Sequence, residues 1–314
     1  MLQKDILLSI VIPVFNEQAC LPELIRRLEV VRAELAADGE VEFMFVDDGS
    51  SDGSREIIRD LSLRDSKVRA VFLSRNFGHQ IAVTAGIDHA KGDYVAIIDA
   101  DLQDPPELIV PMLRLAEAGN DVVFGQRRSR AGDTAFKRLS AALFYRVIRA
   151  MCDIDIPRDT GDFRVISRRV AEGLRSMRER HRFVRGMVPW LGYKSAPYSY
   201  DRDERHAGTT KYPLARMIAF AANAILSFSA KPLGLAIRLG LATIAIGITG
   251  ACYMIYLKLF TDIPVPGVTA ILLTIIIFGG AQLMLTGLVG EYVARIFEEA
   301  KNRPLYVIAE TRNG

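Results

Sequence analysis

Five short runs in the first part of the chain are dense in β-branched and aromatic residues: LSIVIPV (8–14), EFMFVDD (42–48), VRAVFL (68–73), YVAIIDA (94–100) and DVVFG (121–125). Each is apolar at consecutive rather than alternating positions, which predicts strands buried on both faces of a largely parallel sheet. Helical patterns lie between them, over Leu21–Ala37 and Pro106–Ala118. Pro106 follows Asp104 and suits the first turn of the second of these helices. Strands alternating with helices predict an open α/β fold, in which ligands bind beyond the carboxyl ends of the strands. Three of the predicted strands end in polar clusters, at Asn16-Glu17, Asp47-Asp48 and Asp99-Asp101.

The second part of the chain changes character. Leu239–Leu257 and Gly267–Gly290 carry no charged residue over 19 and 24 positions. As helices rising about 1.5 Å per residue, both reach across a hydrocarbon core of about 30 Å. The short joining segment contains two prolines, so the two spans form a hairpin. Lys231 and Arg238 precede it and Arg295, Lys301 and Arg303 follow, whereas the loop offers Lys258 beside Asp262. The positive-inside rule then puts both ends in the cytoplasm. The expected organisation is a cytoplasmic α/β domain over 1–205, a juxtamembrane segment over 206–232, two spans within 233–290 and a cytoplasmic tail over 291–314. A buried hairpin in a soluble core is the alternative; core helices are rarely uncharged for so long.

Two further stretches, about 134–152 and 213–230, mix basic and apolar residues at helical spacing. The first sets Lys137, Arg138, Arg146 and Arg149 beside Phe136, Leu139, Leu143, Phe144 and Val147. Beside membrane spans, a basic amphipathic helix is a candidate interfacial helix; an ordinary surface helix is the alternative. The formal net charge of +3 gives no support for nucleic acid as a partner. Cys20, Cys152 and Cys252 show neither disulfide nor zinc spacing, so reduced thiols are expected. The apolar N-terminal run continues into a strand without a small-residue cleavage site, which argues against a signal peptide.

Chemistry concentrates at the strand ends. In IIDADLQDPPE (97–107), Asp99 and Asp101 put hard oxygen ligands close together, a donor set suited to Mg²⁺ or Mn²⁺ with positions left for phosphate oxygens. A departing diphosphate needs such neutralisation. A bare Asp-x-Asp would more readily cap a turn or the next helix; the extended LQDPPE context reverses that reading. In FVDDGSSDGS (45–54), a tight turn follows Asp47-Asp48, whose carboxylates suit a base N–H or ribose hydroxyls. IPVFNE (12–17) ends in the same way.

In this order the motifs resemble a family 2 glycosyltransferase of the GT-A fold. SRNFGHQIAVTAGIDHAKGDYV (74–95), TGDFRVISR (160–168), RHAGTTKYP (205–213) and LVGEYVARIFEEAKNRPLYVI (288–308) are similar to its polyprenyl-phosphate branch. That branch includes bacterial undecaprenyl-phosphate (bactoprenol) glucosyltransferases, aminoarabinose-phosphate undecaprenol synthases and dolichyl-phosphate mannose synthases. The resemblance implies that Asp99, Asp101 and Gln103 hold the metal and donor diphosphate, and that Pro13, Asn16, Glu17 and Asp48 line the nucleotide site. It further implies Asp162 as the catalytic carboxylate, working with the metal-binding Asp101. Arg205 and Lys211 would lie on a loop closing over the nucleotide-sugar, and Arg127 and Arg138 would receive the acceptor phosphate. The implied reaction is inverting transfer of a hexose from a nucleotide-sugar, with UDP-glucose preferred, to a polyprenyl phosphate at the inner membrane. GDP-mannose, a UDP-aminoarabinose derivative and UDP-GlcNAc are alternative donors.

A phosphate monoester has a second pKa of about 6, so its oxygen is largely anionic at neutral pH and needs no strong base. Asp162 therefore has alternative roles, as a positioner of a cation, a sugar hydroxyl or the incoming phosphate, or as a salt-bridge partner of Arg164. Arginine suits the acceptor sites because guanidinium groups stay charged and bind phosphate bidentately. A processive polysaccharide synthase would carry a QxxRW motif and further spans, and neither is present. A non-catalytic membrane scaffold would be expected to lack the acidic pair. Gly279, Gly280, Gly287 and Gly290 could pack helices within the hairpin or between subunits, and the bacterial members of the branch imply a homo-oligomer, a tetramer.

Overall fold

The computed structural model describes residues 6–128, 160–201, 229, 231–260 and 267–313. The expected interfacial helices at 134–152 and, apart from Ser229, 213–230, and with them Arg138, Arg205 and Lys211, lie outside these residues.

The five apolar runs form strands β1 (Ile6–Val14), β2 (Gly39–Asp47), β3 (Val68–Leu73), β4 (Tyr94–Ile97) and β5 (Val122–Arg127). They alternate with helices α1 (Leu21–Leu35), α2 (Ser54–Arg64), α3 (His79–His89) and α4 (Ile109–Glu117). Pro106 does open the helical segment at its place, as a single 3₁₀ turn over Pro106–Leu108 that runs into α4. Beyond residue 159 come β6 (Thr160–Ser167), α5 (Arg168–Ser176), α6 (Val184–Trp190) and β7 (Ser195–Tyr200).

All the strands join one mixed sheet, in the order β7-β5-β6-β4-β1-β2-β3 and then a last strand, β8 (Ile308–Arg312). The centre is parallel: β1 pairs with β2 on one side and β4 on the other, and β2 pairs with β3. The chain therefore moves outward from β1 through β2 and β3, then returns to the far side of β1 for β4. This reversal of strand order opens a crevice at the carboxyl ends of β1 and β4.

Alternate residues of β1 enter opposite layers. Leu8, Ile10, Ile12 and Val14 pack with Leu21, Leu24, Leu28 and Val31 of α1 and with Phe43 and Phe45. Val11 belongs to the other layer, with Met44, Val46 and the α3 residues Ala82, Val83 and Ala85. Each such large side chain, buried from water, contributes about 1.5–3 kcal/mol. Helix α3 lies close on the sheet because Gly86 faces Val11: a Cβ there would stand 2.2 Å from Val11 Cγ1. That approach fixes where the first turn of α3 meets the crevice.

Two long helices follow, α7 (Lys231–Phe260) and α8 (Val268–Ala300). Each contains a 27-residue stretch long and apolar enough to cross a membrane, with none of its most apolar window buried by protein. Ile246, Ile276 and Leu283 are among many large side chains exposed on them. Both helices extend past the uncharged stretches, since α7 begins at Lys231 and α8 runs on through Glu291 and Arg295. Read from sequence only as a tail, the region after residue 290 also includes β8. This strand pairs antiparallel with β3 and closes that edge of the sheet. Arg59 donates Nε and Nη2 to Glu310, and the Asn313 amide donates to the carbonyls of Ser62 and Val68.

Candidate active site

A cleft of about 430 Å³ sits at the reversal of strand order. Its lining comes from the end of β1 (Pro13, Val14, Phe15, Glu17), Asp48 after β2, Asn76 and Gly78 after β3, and His79 and Ala82 of α3. Asp99, Ala100 and Asp101 after β4, Asp162 of β6 and Arg185 of α6 complete it. Four of the residues expected to bind nucleotide (Pro13, Glu17, Asp48, Asp99) thus meet Asp101 and Asp162 in one place.

The Asp47–Ser50 turn explains why two successive aspartates diverge. Asp47 is fully buried and accepts both Nε and Nη2 of Arg55, which anchors the strand end to α2. Asp48 points the other way, accepting the backbone N–H groups of Phe77 and Gly78 at 2.7 and 2.9 Å. Burial pushes its carboxyl upward, and those two backbone donors oppose the shift. Asp48 therefore holds the entry to α3 as well as lining the cleft. Gly49 has φ +73°, and a Cβ there would lie 2.5 Å from the Arg75 carbonyl carbon, so the turn needs glycine. Asn16 braces this turn: its backbone N–H donates to Ser50 Oγ, and its side-chain oxygen accepts the Ser51 N–H at 2.8 Å.

Asp99 and Asp101 follow β4 directly. Asp101 is buried, and its Oδ1 accepts the Gln103 backbone N–H at 3.2 Å, so Gln103 shapes the turn through its main chain. Asp99 Oδ1 is sealed from water and accepts no hydrogen bond among the described residues; the His79 imidazole Nε2 stands 3.5 Å from it. Burial raises the Asp99 carboxyl to about 6; His79 opposes this, while Asp162, Asp104 and Asp101 add to it. A buried carboxylate oxygen without a donor, beside a second carboxylate, fits a divalent cation that takes further oxygens from its substrate. Among the described residues no three metal-ligating side chains converge, so phosphate or water oxygens would supply the remaining positions.

Asp162 reaches the cleft because β6 runs antiparallel to β4, with Ile97 paired to Arg164. Continuing that register by two residues sets Asp162 opposite Asp99. Arg185 donates Nε to Asp162 Oδ1 at 2.9 Å and Nη2 to Oδ2 at 3.0 Å. His79 Nε2 lies 3.0 Å from Oδ2, and Gln80 Nε2 donates to the same oxygen at 3.2 Å. Burial raises the Asp162 carboxyl, but the bond from His79 and the charge and bonds of Arg185 hold it well below the usual carboxylate range. Arg164 is not the close partner. Its Nη2 stands 3.9 Å from Asp162 Oδ1 and donates instead to the Gly161 carbonyl, with Nε on the Asp162 carbonyl.

Arg127, at the end of β5, is not among the residues that line this cleft. An added Cβ on Gly161 would stand 3.0 Å from Arg127 Nη2. Arg127 bonds to the Tyr200 side chain, whose hydroxyl donates to the buried Asp104. Burial and Asp104 push the Tyr200 phenol well above its usual range. The short motifs do not mark His79, Gln80 or Arg185 individually. His79 and Gln80 fall within the quoted run 74–95, where their helix-start position was the available signal; Arg185 lies in a helix too short to give a periodic pattern.

The fold and cleft together define a GT-A domain, an open mostly parallel sheet with acidic groups where the strand order reverses. The chain belongs to glycosyl transferase family 2, whose profile matches residues 9–175. It is 45% identical to the glycosyltransferase YkcC of Bacillus subtilis, covering 99% of this chain and 95% of that one. It is 40% identical to the glycosyltransferase sll0501 of Synechocystis, over 96% of this chain and 95% of that one. The SfII prophage-derived bactoprenol glucosyl transferase of Shigella flexneri is 37% identical, over 98% of this chain and 99% of the relative. The protein is thus a glycosyltransferase.

Proposed function

We propose that this enzyme transfers glucose from UDP-glucose to undecaprenyl (bactoprenol) phosphate, with inversion at the anomeric carbon. A phosphate oxygen of the lipid attacks the anomeric carbon, and the bond from that carbon to the diphosphate oxygen breaks. UDP leaves with the bonding electron pair. The acceptor is largely dianionic at neutral pH, so no proton need be removed from it.

The observation that carries this reading is one chain joining an acidic cleft to two long exposed apolar helices. A lipid acceptor accounts for both parts, and the bactoprenol glucosyl transferase relative matches across both. Asp99 and Asp101 would hold Mg²⁺ or Mn²⁺, with Gln103 shaping their turn. The ion would supply positive charge to the leaving diphosphate. Pro13, Glu17 and Asp48 would line the nucleotide end, with Asn16 keeping the Gly49 turn in shape. Arg205 and Lys211 would close over the donor, and Arg127 and Arg138 would serve the acceptor phosphate. Helices α7 and α8 would anchor a homo-oligomer in the plasma membrane, with both chain ends in the cytoplasm.

A donor panel tests the sugar. Detergent-purified protein with Mn²⁺ is offered labelled UDP-glucose, UDP-GlcNAc or GDP-mannose together with undecaprenyl phosphate. Label should enter the organic phase from UDP-glucose by at least about tenfold over the others, the discrimination expected when buried polar groups read a hydroxyl pattern. Preferential labelling from another donor would keep the reaction class and reassign the sugar.

A further inference from the structure

The cleft has a charge problem that its motif residues do not solve. Glu17, Asp48, Asp99, Asp101 and Asp162 place five carboxylates around a space that, on the reading above, takes a nucleoside diphosphate and a lipid phosphate. A divalent cation would offset part of that charge near Asp99 and Asp101. Among the described lining residues, the only arginine or lysine is Arg185.

Arg185 is placed by a chain of ionic contacts rather than by chance. Its α6 neighbours Val184, Gly186, Met187 and Val188 are buried, which fixes the helix against the sheet. Its side chain remains about one-third exposed, while Asp162, which takes Nε and Nη2, is 3% exposed. Asp162 is gripped in turn by His79 and Gln80, and His79 reaches Asp99 at 3.5 Å. Asp99, His79, Asp162 and Arg185 thus form one continuous line leading from the expected metal carboxylates. A carboxylate that takes four such contacts is a weak base and a rigid support. A guanidinium with one edge held is pre-organised to receive an oxyanion, because its orientation is fixed before the ligand arrives.

We infer that Arg185 is a phosphate-binding residue of the transfer reaction, and that Asp162 is a positioning residue acting through Arg185 rather than the base. The inference rests on the reading of this cleft as a transferase site. The phosphate is assigned to the lipid acceptor; the donor diphosphate presents the same chemistry and is separated from it by the test.

The test uses the full chain in detergent, as wild type, Arg185→Gln, Arg185→Lys, Asp162→Asn and the double variant Arg185→Gln/Asp162→Asn. UDP affinity is measured with Mn²⁺, and kcat and KM are measured for undecaprenyl phosphate. Arg185→Gln should raise KM for the lipid phosphate by about tenfold or more, the scale of one charge-assisted contact. UDP affinity should stay within about twofold, and Arg185→Lys should recover part of the loss. The double variant should be no worse than Arg185→Gln alone, since coupled residues are non-additive. A loss of UDP affinity instead would overturn the acceptor assignment and move Arg185 to the donor diphosphate. Unchanged UDP affinity and unchanged kcat/KM in both Arg185 variants would refute the inference. Losses that multiply in the double variant would restore Asp162 as an independent base. Should Arg185→Gln fail to fold by thermal unfolding, Arg185→Lys carries the same comparison, with a smaller rise in KM expected. A wild-type protein that binds UDP yet labels no lipid would instead count against the transfer reading itself.

Discussion

Ionising Asp99 places a negative charge beside Asp162, Asp104 and Asp101, with one of its oxygens sealed from water. Its folded carboxyl, at about 6, lies above the unfolded value of about 3.9. A raised carboxyl contributes stability below its unfolded value and loses that contribution as the pH rises through its folded one. At pH 7 the metal-free protein should therefore bear a penalty of about 1–3 kcal/mol at this residue. Asp99→Asn should raise the melting temperature of the metal-free protein at pH 7 while abolishing transfer; at about pH 4.5, just above the unfolded carboxyl value, the stability gain should shrink to about a third. A destabilised Asp99→Asn protein at pH 7 would contradict the assignment of strain to this carboxylate. Asp162 behaves in the opposite sense. Its depressed carboxyl contributes stability above the unfolded value and loses it only in strong acid, so it should not titrate in the working range.

The same residues set the acid limb of activity. Below about pH 6 the acceptor phosphate takes up a proton, and Asp99 does so when no metal competes. Transfer rates measured from pH 5 to 8 (about one ionisation either side of that value) should fall on the acid side. Raising Mn²⁺ should shift that limb to lower pH. A limb insensitive to the metal would assign it to the acceptor phosphate alone and contradict a part for Asp99 in it. Residue identities at the cleft were legible in sequence wherever they ended a buried strand: Glu17, Asp48, Asp99 and Asp101 all meet. The partners of Asp162 were not legible. Its neighbour in sequence, Arg164, is the nearer guess, yet strand direction turns Arg164 toward backbone carbonyls and brings Arg185 from 23 residues away in sequence.

Two elements make that placement possible, and each can be broken singly. Helix α3 carries His79 and Gln80 and is seated by Gly86 on Val11. In an ordinary helix interior, glycine to alanine would stabilise by about 1 kcal/mol. Here the added Cβ meets Val11 Cγ1 at 2.2 Å, and overpacking of this kind costs about 1–3 kcal/mol. Packing should win, so Gly86→Ala should lower the denaturant midpoint and reduce transfer. A raised midpoint would show that α3 can lift without cost. Strand β8 is the other element. The strand runs and their order along the chain were readable from apolar patterning, but β8 was hidden because IAETR alternates weakly and follows a long apolar helix. Its role emerges only from pairing with β3 and from Arg59, Arg69 and Ser62, all distant in sequence. Ending the chain after Asn302 exposes the β3 edge. That protein should melt at lower temperature and aggregate on heating, as light scattering would detect; unchanged melting would make β8 an ornament of the sheet.

At the scale of the whole molecule, the chain runs from the sheet into α7, along α8, and back to the sheet at β8. Tyr306 donates to Asp88 of α3, and Glu299 at the end of α8 accepts the backbone N–H of Arg180. The carboxyl end of α8 and the segment after it are thus tied to the catalytic layers, and α3 receives one of those ties. A lipid headgroup delivered along the helices would arrive at a domain whose cleft helix is braced by the same segment. The central claim is that the acidic cleft and the apolar helices serve a single reaction on a lipid phosphate. The most direct measurement is transfer of labelled glucose from UDP-glucose by the full-length protein to undecaprenyl phosphate, with undecaprenol as a parallel acceptor and Asp101→Ala as the control. Label should enter the lipid only with the phosphate, disappear with chelator and fall by at least about a hundredfold in the control, the scale of lost charge stabilisation at a reacting centre. Equal labelling of undecaprenol, or full activity of Asp101→Ala, would contradict the account.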